Sequence, residues 1–279
     1  MNRPAPSDDV ERPPEDIRHR IFRGHELRRV RACIIVEAPG VISGMNRAGE
    51  WAVANQVDLD ATLEDGRESA AGQIIATVWG SPYHIVRAEE ALLGELSKTS
   101  GIATRARRAL EQAGGRFRVV CGAFKKMPPA VKFPLRQAVV DGGLDVRMAP
   151  QPFIYLDKNY VRILGGVARA MEAISPLKQP VVIQLRGESA PIGQEAVSAA
   201  KLGAASIMVD TGRLADLDAA SAALREAGLR GAVRLAFAGN LRIEDLTRLG
   251  EDHDLDAVDI GYDIVDAPCL PMRFDVIPE

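Results

Sequence analysis

The chain has 279 residues, of which 47% are hydrophobic and 26% are charged, and its formal net charge is -3 at pH 7. This mixture is typical of a folded globular protein and offers no broad basic surface, so it argues against a nucleic-acid partner. No apolar run approaches the roughly 20 residues of a membrane span, and the start of the chain lacks a signal-peptide core. The three cysteines are far apart and odd in number, which favours a reducing, cytoplasmic location.

The first part of the chain predicts a domain built on an antiparallel sheet. Residues 1–16 are rich in Pro, Asp and Glu, and we expect a loosely packed tail there. The longest helical pattern covers Ala88–Ala113, although Ser100-Gly101 argues against one continuous helix. A short helix is predicted at Ala48–Asn55. Strands are predicted at Ala32–Glu37, Val41–Gly44, Asp58–Leu63 and Ile74–Trp79.

From residue 117 onward, apolar strands alternate with amphipathic helices. The helical patterns lie near residues 128–141, 160–175, 193–203, 213–228 and 243–250. This alternation predicts a parallel sheet covered by helices. Its length of about 150 residues favours an open or incomplete α/β barrel, with an open doubly wound sheet as the alternative. The strands are predicted at Phe117–Cys121, Phe153–Leu156, Val181–Leu185, Ser206–Asp210, Val233–Ala238 and Asp256–Ile260.

Polar or glycine residues follow each of these strands. Because the carboxyl ends of parallel strands meet at one edge, we expect these residues to converge on one mouth. Lysines, glycine amides and the Asp210 carboxylate together suit a phosphorylated sugar held with magnesium. The residues concerned are Lys125, Lys126, Asp157, Lys158, Gln184, Asp210, Ala238, Gly239, Asn240, Gly261 and Tyr262, with Lys132, Arg136 and Arg147 near the basic loop.

Several motifs resemble the quinolinate phosphoribosyltransferase family, whose members are also called carboxylating nicotinate-nucleotide pyrophosphorylases. The resemblance runs from Val30 to Phe274. It rests on Thr99–Arg108 (TSGIATRARR), Lys125–Gly143, Arg147, Ile207–Asp210 (IMVD), Ala238–Asn240 and Leu270–Phe274 (LPMRF). It implies an N-terminal α/β sandwich domain at 1–115, with the tail 268–279 packing back on it, and an open α/β barrel at 116–267. It also implies a homodimer or higher even oligomer with a site completed across the dimer.

The family joins quinolinate to phosphoribosyl pyrophosphate and releases pyrophosphate and carbon dioxide. The resemblance implies that Mg²⁺, Asp210 and Lys126 stabilise the departing pyrophosphate. The glycine loops Ala238–Asn240 and Gly261–Tyr262 would seat the 5′-phosphate. Lys125 and Arg147 would hold an acidic ring acceptor, near Lys132 and Arg136.

The acceptor positions depart from the family pattern. Glu90 stands where the family has an arginine, and Val146 replaces a histidine. Asp157 and Lys158 exchange the charges of the family's Lys-Asp pair, while Gln184 and Ala236 replace glutamates. An anion in place of a cation repels a carboxylate, so we expect a less anionic or amine-bearing acceptor than quinolinate.

Two other functions remain open from the sequence. The lost His, Arg and Glu favour a non-catalytic paralogue that binds a phosphorylated metabolite. A lyase that uses Lys126 as a Schiff-base amine ranks third.

Overall fold

The computed structural model describes residues 16–278. The tail predicted for residues 1–16 therefore lies outside the described residues, except for Asp16. The strands are β1 Val30–Val36, β2 Gly40–Val41, β3 Asp58–Ala61, β4 Glu68–Ser69, β5 Ile74–Gly80, β6 Arg118–Val120, β7 Ile154–Leu156, β8 Val181–Leu185, β9 Ser206–Asp210, β10 Arg234–Ala238, β11 Ala257–Asp259 and β12 Met272–Ile277. The α-helices are α1 Ile17–Ile21, α2 Met45–Ala54, α3 Pro82–Ala113, α4 Pro129–Asp141, α5 Lys158–Leu164, α6 Val167–Ile174, α7 Ile192–Lys201, α8 Leu214–Glu226, α9 Leu246–Asp252 and α10 Tyr262–Val265.

The N-terminal half forms a four-stranded antiparallel sheet in the order β12-β1-β5-β3. Helices α2 and α3 cover it, and the shared core includes Ile34, Ile75 and Leu92, which are fully buried. The chain end returns as β12 to pair with β1, so the tail lies on this sheet. The return strand predicted at Val41–Gly44 is shorter than expected, and it pairs with β4 instead of β1.

The C-terminal half is a six-stranded parallel sheet in the order β6-β11-β10-β9-β8-β7. Strands β7 to β11 follow one another in space, and the first strand, β6, lies beside the last. This order describes a sheet that curls round, with helices outside and a small inner core of Val120, Met208 and Ala236. A single bridge from Val120 to Asp145 extends the edge at β6. The mixed α/β fold with an open barrel is therefore confirmed, and the doubly wound alternative is wrong.

Helix α3 is one continuous helix of 32 residues, so the interruption expected at Ser100-Gly101 is wrong. Ser100 accepts a hydrogen bond at Oγ from the Ser43 backbone nitrogen at 3.0 Å. A Cβ added to Gly101 would lie 2.0 Å from the Pro268 carbonyl oxygen. Both residues therefore serve close contacts with neighbouring segments, and these contacts outweigh the weak helix propensity.

The helix predicted near residues 160–175 is also different, since two helices occupy that stretch. Helix α5 ends and α6 begins at Gly165 and Gly166, which have φ angles of 81° and 115°. Such backbone angles are open to glycine and end a helix. None of the helices in the described part of the chain is long and apolar enough to cross a membrane.

Candidate active site

A cavity of about 420 Å³ opens at the carboxyl ends of the parallel strands. Most of the residues expected at the mouth of the barrel line this cavity, because parallel pairing aligns the carboxyl ends of the strands at one end of the barrel. Its wall comprises Gly122, Ala123, Lys125, Lys126, Met127, Asp210, Ala238, Gly239, Asn240, Leu241, Asp259, Gly261 and Tyr262.

The loops after β9 and β10 meet through two glycines. Gly239 has a φ of 124°, and a Cβ added there would lie 2.3 Å from the Gly212 nitrogen. Gly212 donates its backbone N–H to the Ala238 carbonyl oxygen at 3.1 Å. The next residue, Asn240, also has a positive φ, of 60°. This part of the wall is built from backbone, and such glycine-rich turns let amide groups approach an anion.

Lys126 closes the opposite side of the cavity together with Tyr262. Its Nζ donates to the Tyr262 hydroxyl at 2.7 Å and lies 4.5 Å from the centre of the ring. Both side chains are exposed to the cavity mouth, Tyr262 at 48%. The Lys126 ammonium is thus held by a hydroxyl and an aromatic ring and has no carboxylate partner among the ion pairs of the described residues, so it is available to an anionic ligand.

Lys125 is paired with a carboxylate. Its Nζ forms an ion pair with Asp157, which also caps α5 by accepting the Asn159 backbone N–H at 2.9 Å. Burial raises the pKa of Asp157, but the Lys125 ion pair and the capping N–H groups outweigh it and lower the pKa of that carboxyl. Asp157 therefore stays ionised and offsets the charge of Lys125.

Asp210 is held by Gln184 on β8 and by Arg186, which directly follows that strand. The Gln184 side-chain nitrogen and Arg186 both donate to its Oδ2, Arg186 at 3.0 Å. Burial raises the pKa of Asp210, and the cations Arg186 and Lys158 oppose that rise. Gln184 also accepts the Lys158 backbone N–H at 2.8 Å, so β8 fixes both the start of α5 and the carboxylate.

Asp259, at the end of β11, was missed by the sequence analysis. It accepts the Gly122 backbone N–H at 2.8 Å and lines the cavity. Strand pairing sets Asp259 and Asp210 on either side of Ala238. Burial and the nearby Asp210 charge raise the pKa of Asp259 to about 6. The available signal was the polar residue that ends an otherwise apolar strand.

Two hydrogen-bond networks, one partly buried and one buried, position the loops around the cavity. Arg105 of α3 donates to both carboxylate oxygens of Asp263 at 2.8 Å, and Asp263 accepts the Ile243 backbone N–H at 2.8 Å. This ties the loops after β10 and β11 to α3. Glu195, only 3% exposed, accepts the Gly187 and Ser189 backbone N–H groups, each at 2.8 Å. It fixes the loop that follows Arg186.

Several predicted residues lie outside the cavity wall. Glu90 lies on α3 in the N-terminal half, where its side chain is 84% exposed and 3.7 Å from Arg18. Lys132 and Arg136 lie on α4, and Arg136 packs over the Phe124 ring at 5.2 Å. Arg147 is exposed in the segment after the Val120–Asp145 bridge. Their roles in binding remain predictions.

Asp210 is the carboxylate expected to hold magnesium. Within residues 16–278, no group of three or more His, Cys, Asp or Glu side chains is placed to hold a metal ion. Both hydrogen bonds to Asp210 reach Oδ2, and Asp210 lines the cavity. Magnesium is usually held by one or two carboxylates, waters and substrate phosphates. Asp210 therefore fits an ion that arrives with a diphosphate.

Comparison with known proteins gives a consistent result. The quinolinate phosphoribosyl transferase N-terminal domain model matches residues 16–100, and the C-terminal domain model matches residues 102–275. The two models meet within α3. The chain is 26% identical over 250 residues to a probable carboxylating nicotinate-nucleotide pyrophosphorylase of Archaeoglobus fulgidus, covering 89% of this chain and 95% of that protein.

Two further comparisons cover most of the chain. The human carboxylating nicotinate-nucleotide pyrophosphorylase is 25% identical over 243 residues, covering 86% of this chain and 80% of that protein. The solved nicotinate-nucleotide pyrophosphorylase of Francisella tularensis superimposes with a TM-score of 0.80 at 19% identity, covering 96% of this chain and 92% of that one. At that identity the structural match supports the fold alone, whereas the two domain models span almost all the described residues. The chain belongs to the quinolinate phosphoribosyltransferase family.

Proposed function

We propose that this protein transfers a phosphoribosyl group from phosphoribosyl pyrophosphate to a nitrogen heterocycle. The observation that carries the proposal is the single cavity in which glycine loops, Lys126 and Asp210 meet. It suits a ligand with separate phosphate and diphosphate groups, because backbone amides and an ammonium both bind phosphate oxygens. The names of the similar proteins from Archaeoglobus fulgidus and human describe the same class of reaction.

The roles follow from charge. As the ring nitrogen of the acceptor bonds to C1′ of the ribose, the C1′–O bond breaks and its electron pair leaves on the diphosphate. Lys126 lies where it stabilises that growing negative charge. The loops at Gly239 and Gly261 hold the 5′-phosphate. Asp210 would hold a magnesium ion carried by the diphosphate, and such an ion neutralises charge on the leaving group.

The acceptor side favours a ligand less anionic than quinolinate. Lys125, one of the cations expected to hold the acceptor, is already paired with Asp157. Arg186 is paired with Asp210 at 3.0 Å. A dicarboxylate would have to compete with both protein carboxylates for these cations, and it would meet the charge of Asp259 as well.

We also propose a cytoplasmic homodimer or higher even oligomer. Glu90 lies outside the cavity of its own chain, so a partner copy would have to bring this position to the site, as the resemblance implies. The free thiols of Cys33, Cys121 and Cys269 fit a reducing compartment. Light scattering should give twice the chain mass or a higher even multiple, and a strict monomer at micromolar concentration would contradict the dimer.

The transfer reaction is tested by product mass. The protein is incubated with phosphoribosyl pyrophosphate, magnesium and a mixture of nitrogen heterocycles, and mass spectrometry follows phosphoribosylated rings and released pyrophosphate. We expect product with the native protein and with Lys201→Ala, an exposed lysine on α7, and loss of product with Lys126→Ala. Donor binding without product from any ring would favour the non-catalytic paralogue. Borohydride trapping of a carbonyl compound on Lys126 would favour the lyase.

A further inference from the structure

Asp259 carries a negative charge that no cation of the described chain balances. Its hydrogen bond comes from the neutral Gly122 backbone N–H at 2.8 Å. Within residues 16–278, no ion pair reaches its carboxylate. Three other carboxylates around the barrel mouth do have cations, since Lys125 pairs with Asp157, Arg186 with Asp210 and Arg105 with Asp263.

The unbalanced charge of Asp259 lowers the stability of the folded protein. A partly buried carboxylate without a cation is poorly solvated, and a second carboxylate nearby makes its ionisation harder. Both effects raise the pKa of Asp259. The Gly122 N–H needs only a neutral acceptor, so the fold does not require a charge at this point. A costly charge that faces a cavity is typical of a ligand-binding residue.

The surroundings of Asp259 leave room for a flat ring. Its neighbours on the two adjacent strands are short: Ala238 stands opposite it on β10 and Val120 on β6, and Ala236 and Ala257 pair in the layer below. These alanines belong to the inner core of the barrel. A heterocycle in this space would have methyl groups beneath it and one carboxylate at its edge.

We propose that Asp259 recognises the acceptor and selects a nitrogen heterocycle that carries an amino or ring N–H group. This assignment rests on the proposed phosphoribosyl transfer. An N–H donor gives the carboxylate the partner that it lacks, and the hydrogen bond is strong because the acceptor atom is charged. A ring carboxylate at the same place would be repelled.

Two probes with the same ring test the assignment: 2,3-diaminopyridine, and quinolinate, which is pyridine-2,3-dicarboxylate. Each is titrated by calorimetry into the native protein, Asp259→Asn and Asp252→Asn. The last variant makes the same change of charge at an exposed residue on α9. We expect the native protein to bind the diamine at least tenfold more tightly than quinolinate. Asp259→Asn should lose most of that preference, and Asp252→Asn should keep it.

A separate titration with phosphoribosyl pyrophosphate and magnesium distinguishes a failure of the proposed function from a failure of the proposed role of Asp259. Asn keeps an oxygen for the Gly122 N–H, so Asp259→Asn should fold and should bind the donor at least as tightly as the native protein. If the native protein does not bind the donor, the proposed function fails. If it binds the donor but shows no preference for the diamine, or if Asp259→Asn keeps that preference, the role of Asp259 is wrong.

Discussion

The two sides of the barrel mouth are built differently. On the donor side, the loops after β9 and β10 are shaped by backbone, with Gly212 and Gly239 in direct contact. On the proposed acceptor side, charged side chains pair across neighbouring strand ends: Lys125 after β6 with Asp157 after β7, and Arg186 after β8 with Asp210 at the end of β9. A site made of backbone keeps its ligand when side chains change. A site made of side-chain charges can acquire a new ligand through a few substitutions, and the proposed function, with a kept donor and a different acceptor, is consistent with this difference.

The largest expected effect concerns quinolinate as a substrate. Charge-assisted contacts contribute roughly 1.5–3 kcal/mol each, and Glu90 and Asp157 replace two cations of the family pattern with anions. Two lost contacts at about 1.5 kcal/mol each lower affinity by more than about a hundredfold. Formation of nicotinate mononucleotide from quinolinate, phosphoribosyl pyrophosphate and magnesium should therefore be slow or absent. Turnover near the ~10 per second of an ordinary enzyme would contradict this.

The donor side should be sensitive to glycine replacement. Gly239→Ala adds a Cβ 2.3 Å from the Gly212 nitrogen at a φ of 124°, so the two loops must separate. We expect donor affinity to fall at least tenfold and the free energy of unfolding to fall by roughly 1–3 kcal/mol. Gly228→Ala is the matched control, because its φ is also positive and nothing lies within 4 Å of the added Cβ. Equal effects of the two variants on donor affinity would argue against the tight loop contact.

The acceptor side should become more tolerant of anions when its ion pair is broken. Asp157→Asn removes the charge that offsets Lys125, and Asn remains a good cap for α5. Calorimetry should show quinolinate binding several-fold more tightly to this variant. Asp216→Asn, which breaks the Arg213 ion pair at 2.7 Å on α8, supplies the control. Unchanged quinolinate affinity in Asp157→Asn would mean that Lys125 does not face the acceptor.

The smallest expected effect is on the way the free energy of unfolding changes with pH. The folded pKa of Asp259 is about 6, against an ordinary value of 3.8. Between those values the folded protein binds more protons at this carboxyl than the unfolded chain does, so its contribution to stability falls as pH rises. The difference in unfolding free energy between Asp259→Asn and the native protein should grow across that range by on the order of 1 kcal/mol. Urea titrations at pH 4 and pH 7 measure it, and a constant difference would contradict the raised pKa.

Local patterns predicted most of the barrel. Strands such as Val181–Leu185 and Ser206–Asp210 begin and end where the sequence indicated, because buried parallel strands are short apolar runs. The convergence of Lys126, Asp210 and Gly239 followed from strand order alone. The pairing of Lys125 with Asp157 and the unbalanced charge of Asp259 did not, since they depend on which side chains meet across the mouth.

The continuity of α3 could not be predicted from the local sequence either. Ser100 and Gly101 weaken a helix in isolation, but the returning chain at Pro268 packs against Gly101 so closely that no side chain fits. A contact between residues so far apart in the sequence leaves no local pattern. Glu195 likewise resembles a residue on a helix surface, although it is buried beneath the loop after β8.

The most direct test of the account is a calorimetric titration of the native protein with phosphoribosyl pyrophosphate and magnesium. The account predicts saturable binding at one site per chain, weakened at least tenfold by Lys126→Ala and unaffected by Lys201→Ala. Absence of saturable binding, or equal binding by Lys126→Ala and the native protein, would contradict the claim that the cavity at the barrel mouth is a phosphoribosyl donor site.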